Sequence, residues 1–204
     1  MTSLPVDLEV VAVDDGSSDG TWEILQGLAG PNVRVFRHER NRGKGAALRT
    51  AIPEARGEYL VVQDGDLEYD PADLVRMLER AEDGALPVVY GNRRHGEYRK
   101  SYASYYWGGQ LLTHLTNLLF GTRIHDEPVC YKMFRRDVLQ SIPLECEGFV
   151  FCPEVTAKIV LRGYPIEEVD IYYNPRSFTE GKKISWRDGL HHIWTLVKLR
   201  FTGG

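Results

Sequence analysis

No apolar run in the chain reaches the roughly 18 residues that a membrane-crossing helix requires, so no transmembrane helix is encoded. Cysteine is scarce. Cys130, Cys146 and Cys152 are the only three, and their spacing matches no zinc site. An odd set of thiols fits a reduced, cytoplasmic protein, which is the compartment expected. The first residues, Met1-Thr2-Ser3-Leu4-Pro5, lack the pattern of a signal peptide. Positive charge is not in excess: 25 Lys and Arg face 29 Asp and Glu, for a net charge of −4, so nucleic acid is not an expected partner. Internal repeats, low-complexity tracts and the Gly-x4-Gly-Lys-Ser/Thr spacing of a P-loop are absent too. What remains is 204 residues of ordinary globular composition, enough for one domain with a real core.

The most informative stretch is Tyr59-Leu60-Val61-Val62-Gln63-Asp64-Gly65-Asp66-Leu67-Glu68-Tyr69-Asp70-Pro71. Its β-branched start reads as a buried strand. The strand ends abruptly in acids, and Pro71 opens a helix with Asp70 as its expected N-cap. Carboxylates at the end of a buried strand are costly unless a cation sits there. Hard divalent ions favour such oxygens, taking one or two from protein and the rest from phosphates and water. Gly65 allows the chain to turn and a ligand to approach. A solvated turn with an Asx cap is the commoner explanation of an isolated Asp-x-Asp, so the rest of the chain has to decide.

Two other strands end in the same way. Leu8–Val13 runs into Asp14-Asp15-Gly16-Ser17-Ser18-Asp19-Gly20-Thr21, then a helix to about Leu28 that Ser18 or Asp19 would cap. Pro87–Tyr90 runs into Gly91-Asn92-Arg93-Arg94. Between them, Val33–Phe36 leads through Arg37-His38-Glu39-Arg40-Asn41-Arg42-Gly43-Lys44-Gly45 to a helix over Ala46–Glu54, bent or ended by Pro53. Glycines and amides there, with Arg42 and Lys44, make an expected anion site, or else a basic solvated loop. Alternating strands and helices predict a mostly parallel α/β sheet, with ligands at the carboxyl ends of its strands. The three polar clusters then converge.

Downstream, Ser101–Phe120 reads as a long helix carrying Trp107, Leu111, Leu112, Leu115, Leu118 and Leu119 on one broad face. It packs on the core or lies in a membrane interface, with Arg99 and Lys100 before it. Val129–Phe134 is a strand and Arg135–Leu139 a short helix. Pro153-Glu154 opens a helix to Leu161, and Ile166–Tyr173 is a last strand. The loop from Asn174 to Ile184 carries Arg176, Lys182 and Lys183 around Gly181, either a phosphate-clamping lid or a solvated basic loop. A closing helix over Trp186–Phe201 carries Leu190, Ile193, Trp194, Val197 and Phe201.

Taken in order, Asp14–Thr21, Asn41–Ala47, Gln63–Pro71, Tyr90–Arg93, Asp126 with Cys130-Tyr131-Lys132, Pro153-Glu154, Tyr173–Arg176, Glu180–Lys183 and Trp186–Gly189 resemble family 2 glycosyltransferases of the GT-A fold. The likeness covers nearly the whole chain and is greatest to dolichol-phosphate mannose synthases and bacterial polyprenyl-phosphate sugar transferases. One departure is large. The family opens with a strand–helix unit bearing Pro-x-Tyr/Phe-Asn-Glu, and Met1–Val6 holds no such unit. The edge of Val10–Val13 is therefore expected to be unpaired, or paired with another chain.

The resemblance implies one catalytic domain, with residues 1–94 as nucleotide-sugar half and 95–204 as acceptor half. It implies an inverting transfer of a hexose from a GDP-mannose or UDP-glucose type donor, with Mg²⁺ or Mn²⁺. Asp64, Asp66 and Glu68 would hold the metal. Asp14, Asp15, Lys44, Arg93, Lys182 and Lys183 would bind the donor, and Asp66, Arg93, Asp126, Glu154 and Arg176 would form the catalytic set. A polyprenyl phosphate acceptor is already anionic and needs no strong base. A soluble acceptor would need Asp126 or Glu154 as base, and a non-catalytic partner subunit would need neither. Peripheral attachment to the inner membrane face follows from the two amphipathic stretches.

Overall fold

The computed structural model describes residues 6–93, 103–175 and 186–203. Strand β1 (Val10–Asp14) leads to helix α1 (Thr21–Leu28), β2 (Val33–Arg37), α2 (Lys44–Ala51), β3 (Tyr59–Val61), α3 (Asp73–Asp83) and β4 (Val88–Asn92). Helix α4 (Ala103–Phe120), β5 (Lys132–Arg135), α5 (Arg136–Ser141), α6 (Phe151–Leu161), β6 (Glu167–Asp170) and α7 (Trp186–Thr202) complete the chain order. Pro53 ends α2 as expected, in a 3₁₀ turn over Ile52–Glu54. Helix α3 starts later than Pro71. The Asp70 carboxylate accepts from the Ala72 amide at 2.9 Å, so it caps the turn ahead of the helix rather than the helix. Helix α1 is entered through Gly20 in the left-handed region (φ 80°), a conformation that glycine adopts without strain.

The α/β layering is as expected, but the sheet is mixed rather than mostly parallel. One sheet has the order β3-β5-β4-β6, with β5 antiparallel to both β3 and β4, and β6 parallel to β4. The reason lies in the turn before β5. Asp126 sits at the carboxyl end of β4, against Arg93, so a strand entered from that turn must run back along β4. Strand β4 is buried throughout. Val89, Tyr90, Met133 and Phe134 meet Met77 and Ala81 of α3 and Val155 and Ile159 of α6 in one core. Strand β5, from the later half of the chain, thus lies between β3 and β4 of the first half.

Strands β1 and β2 form a separate parallel pair, Val10 opposite Val33 through Asp14 opposite Arg37. Among the described residues, β1 is hydrogen-bonded to β2 alone and β3 to β5 alone, so the expected unpaired edge is present. Its apolar residues Val11, Ala12 and Val13 are half-buried and Val10 is exposed. Side chains link the two sheets instead. The Glu9 carboxylate accepts from the Gly57 amide at 2.6 Å and pairs with Arg34 at 3.0 Å.

Helices α4 and α7 pack on each other and on α6. Helix α4 buries Thr113 and Thr116, whose hydroxyls donate to carbonyls of the preceding turn at 2.9 Å each. It exposes Trp107, Leu111 and Leu118. Helix α7 buries His192, Leu196 and Leu199 and exposes Leu190, Trp194 and Phe201. The broad apolar face expected on α4 is therefore only partly inward. Among the described residues, no helix is long and apolar enough to cross a membrane.

Candidate active site

The acid loop joins β3 to α3. Its tip is open: nothing lies within 4 Å of a side chain built at Gly65, and Leu67 is 91% exposed. Its ends are anchored. Gln63 accepts from the Tyr131 hydroxyl at 2.5 Å, and Tyr131 stacks on Tyr69 with ring centres 4.6 Å apart. Tyr69 packs on Tyr173 at 5.3 Å and is bridged to it through the backbone. The Tyr173 hydroxyl donates to Glu68 at 3.2 Å, and the Asn174 amide to the Glu68 carbonyl at 2.8 Å. Asp66 accepts from the Glu68 amide at 3.2 Å. Asp64 pairs with the Lys44 ammonium at 2.5 Å. Burial alone would lower the Lys44 pKa; Cys130 and Asp64 beside it outweigh that and hold it charged, above its ordinary range.

The expected anion site at the N-terminus of α2 is corrected. Four of the amides around its start are already donated: Arg42 and Gly43 to the Asp15 carboxylate at 2.9 and 2.6 Å, Gly45 to the Gly148 carbonyl at 3.0 Å and Ala46 to the Glu147 carbonyl at 3.1 Å. Gly43, at φ 90°, is packed so closely that a Cβ would stand 2.6 Å from the Glu147 carbonyl oxygen. What this helix offers a phosphate is the Lys44 side chain. Asp15 is also held by His38 at 2.7 Å. Partial burial opposes its ionisation, but the bonds from His38, Arg42 and Gly43 prevail and keep its carboxyl below the usual range. Asp14 is buried at the end of β1, accepting from the Ser17 amide at 3.0 Å and pairing with Arg37 at 3.3 Å. A polar cleft of about 480 Å³ opens alongside, lined by Arg37, His38, Glu39, Arg40, Arg42 and Glu147.

At the end of β4, Arg93 grips Asp126 with two parallel bonds, of 2.7 and 2.8 Å, while its amide adds a third at 3.1 Å. Burial disfavours the guanidinium charge, but Asp126 more than compensates and its pKa stands well above normal. The guanidinium also lies over the Tyr173 ring, 4.9 Å from its centre. Glu168 orients the turn, accepting from the His125 and Asp126 amides at 2.9 and 3.0 Å. Glu154 is placed elsewhere, buried at the start of α6. It accepts from the Glu145 and Cys146 amides at 2.8 and 2.9 Å and pairs with Lys158 at 2.8 Å. Burial works against its charge, yet these bonds hold its carboxyl below the usual range. It thereby fixes the 145–148 loop against α2.

Asp64, Glu68, Lys44, Arg93 and Asp126 are thus joined, directly or through tyrosines, along one strand-end surface. Arg94, Arg176, Lys182 and Lys183 lie outside the described residues. Sequence reasoning gave no separate role to Tyr69 or Glu168. Their signals are weak, since a lone tyrosine or a strand glutamate is normally structural. Among the described residues, no three His, Cys, Asp or Glu side chains converge as a metal cage. Asp64 and Asp66 on an open loop still suit a hard ion that brings phosphate ligands with it.

Comparison with known proteins places this geometry in context. Residues 4–142 match the model of "Glycosyl transferase family 2". A dodecaprenyl-phosphate galacturonate synthase from Rhizobium johnstonii is 30% identical over 166 residues, covering 78% of this chain and 48% of its own. A low-salt glycan biosynthesis hexosyltransferase, Agl6, from Haloferax volcanii is 28% identical over 186 residues, covering 90% of this chain and 44% of its own. The chain therefore spans about half the length of these curated relatives. A mannosyltransferase from Pyrobaculum calidifontis, solved with GDP-Man and Mn²⁺, superposes with a TM-score of 0.65 at 20% identity, over 97% of this chain and 56% of that one.

Proposed function

Because the chain belongs to glycosyl transferase family 2, we propose that it transfers a hexose, with inversion, from a nucleotide diphosphate sugar to polyprenyl phosphate. The observation that carries the acceptor is the state of the two candidate bases. Asp126 is bidentate on Arg93, and Glu154 is bound to Lys158 and two amides. A neutral hydroxyl acceptor needs a base to remove its proton. A phosphate oxygen arrives anionic, and needs cations and correct placement instead. A partly buried, permanently charged arginine held in place by Asp126 suits that need. The name of the Rhizobium relative supports the same acceptor class.

Asp64 and Asp66 would hold Mg²⁺ or Mn²⁺, with Glu68 at the loop's far end. The ion, when bound, neutralises charge on the departing diphosphate. Lys44, freed from Asp64, would meet the diphosphate, and Arg93 the acceptor phosphate. Arg176, Lys182 and Lys183 would add positive charge around both. Asp14 and Asp15 would shape the nucleoside side by holding Arg37, His38 and the Arg42–Gly43 loop beside the polar cleft. Residues 1–94 would then serve mainly the donor and 95–204 the acceptor. A donor of GDP-mannose or UDP-glucose type fits this arrangement.

Helices α4 and α7 would rest on the cytoplasmic face of a membrane. Burying threonines while exposing Trp107, Leu111 and Leu118 reverses the usual order for a water-facing helix. The unpaired edge of β1 would favour self-association, which sedimentation tests. The decisive experiment incubates the protein with UDP- and GDP-hexoses, polyprenyl phosphate and Mn²⁺ or Mg²⁺. Metal-dependent formation of polyprenyl-phosphate hexose is expected. Transfer to a neutral hydroxyl in preference to the lipid phosphate would overturn the reading.

A further inference from the structure

The acid loop is held at both ends by a cluster of three tyrosines, Tyr131 stacked on Tyr69 and Tyr173 tilted against it, and Tyr173 also lies against Arg93. From this juxtaposition we infer that Tyr173 is a positioning residue, setting the distance between the metal-diphosphate loop and the acceptor arginine. The inference rests on the function proposed above and adds a residue to it.

Tyr173 is almost fully buried. Its hydroxyl donates to Glu68 at 3.2 Å. Its backbone is bridged to Tyr69, and the next residue, Asn174, donates to the Glu68 carbonyl at 2.8 Å. One face of the ring lies near Tyr69, and Arg93 stands 4.9 Å from the ring centre. At the other end of the loop, Tyr131 continues the stack and holds Gln63, the residue before Asp64. Between these anchors, Asp64 pairs with Lys44 and Asp66 accepts from the Glu68 amide.

The two parts of the Tyr173 side chain have separable duties. The hydroxyl acts on the acid loop through Glu68. The ring acts on Arg93, since a cation over an aromatic face is attracted to it and oriented by it. A loop whose carboxylates are fixed before the ion arrives loses less freedom on binding. Groups that orient metal ligands typically change metal affinity by roughly 10–100-fold when removed. Plain core packing would couple the hydroxyl and the ring to stability alone.

The test compares Tyr173→Phe with Tyr173→Leu in the whole protein. Binding of Mn²⁺ with UDP, and of Mn²⁺ with GDP, is measured by calorimetry, alongside transfer to polyprenyl phosphate and thermal melting. Tyr173→Phe should weaken Mn²⁺-nucleotide binding about tenfold, the low end of that range, while the acceptor KM stays unchanged. Tyr173→Leu should show the same donor defect and also raise the acceptor KM. Phenylalanine at this position thus rescues the acceptor defect of leucine but not the donor defect. Wild-type binding by Tyr173→Phe overturns the inference, as does equal loss of donor and acceptor function in proportion to the folded fraction. If the wild type binds Mn²⁺-nucleotide but transfers nothing to the lipid phosphate, the proposed acceptor falls, while the hydroxyl's role is still decided by calorimetry. No binding of either nucleotide by the wild type overturns both.

Discussion

Replacing Asp126 by asparagine removes the charge that Arg93 is built around while keeping nearly the same shape. Two bonds of 2.7 and 2.8 Å lose their ionic partner. The Asp126 side chain is fully buried, whereas that of Arg93 is 19% exposed. Breaking a buried pair by removing one partner costs roughly 3–5 kcal/mol, because the other charge remains without compensation. Partial exposure of Arg93 argues for the low end, about 3 kcal/mol. For a chain of this size that lowers the melting temperature by roughly 6–12 °C. The companion variant, Arg93→Met with Asp126→Leu, removes both charges together and should recover most of that stability. It should not recover transfer, since the guanidinium charge proposed to hold the phosphate is gone. Scanning calorimetry on wild type, Asp126→Asn and the double variant, with transfer assayed on each, completes the comparison. A melting temperature for Asp126→Asn within about 2 °C of wild type would refute the reasoning, because the pair would then be solvent-screened like a surface bridge. Recovery of transfer in the double variant would refute Arg93 as the phosphate holder.

Asp66→Asn should reduce transfer by about a hundredfold or more with an unchanged melt, and EDTA should do the same to the wild type; full turnover in either sinks the metal assignment. Trp107→Ser combined with Trp194→Ser should cut cosedimentation with anionic liposomes by at least about tenfold, since each exposed indole that enters the interface contributes on the order of 1 kcal/mol or more. Unchanged partition would return α4 and α7 to ordinary surface helices. The Glu154 carboxyl has a folded pKa below its ordinary 4.5, so its stabilisation is complete above that value and is lost as pH falls through the folded pKa. Glu154→Gln should therefore be less stable than wild type at neutral pH, with the gap narrowing below about pH 4.5 in urea titrations; a gap that widens in acid contradicts the sign.

What could be read from the sequence was local, and what could not was long-range. An apolar strand ending in Asp64-Gly65-Asp66 announces itself within a few residues, because burial and charge change abruptly at one point. The same reasoning misjudged the start of α2. Its glycines do look like a phosphate cradle, but the amides of Arg42, Gly43, Gly45 and Ala46 are taken by Asp15 and by the 147–148 carbonyls, and that loop is itself held by Glu154 far along the chain. Nothing near Gly43 in the sequence records such a partner. The sense of β5 escaped for a related reason. Strand periodicity is blind to direction, and only the placement of the Asp126 turn at the end of β4 forces the reversal. Helix α4 shows a third limit. Leucines recur on a broad face, yet the buried positions go to Thr113 and Thr116, which satisfy their own hydroxyls within the helix. An apolar stripe states that a helix has a side that avoids water; whether that side meets the core or something outside is decided by the neighbours, here α6 and α7. The tyrosine cluster is the most distributed feature, since Tyr69, Tyr131 and Tyr173 come from three separate loops. Individually each is an ordinary buried aromatic. Together they tie the acid loop to Arg93, and that relation exists only once the mixed sheet has formed.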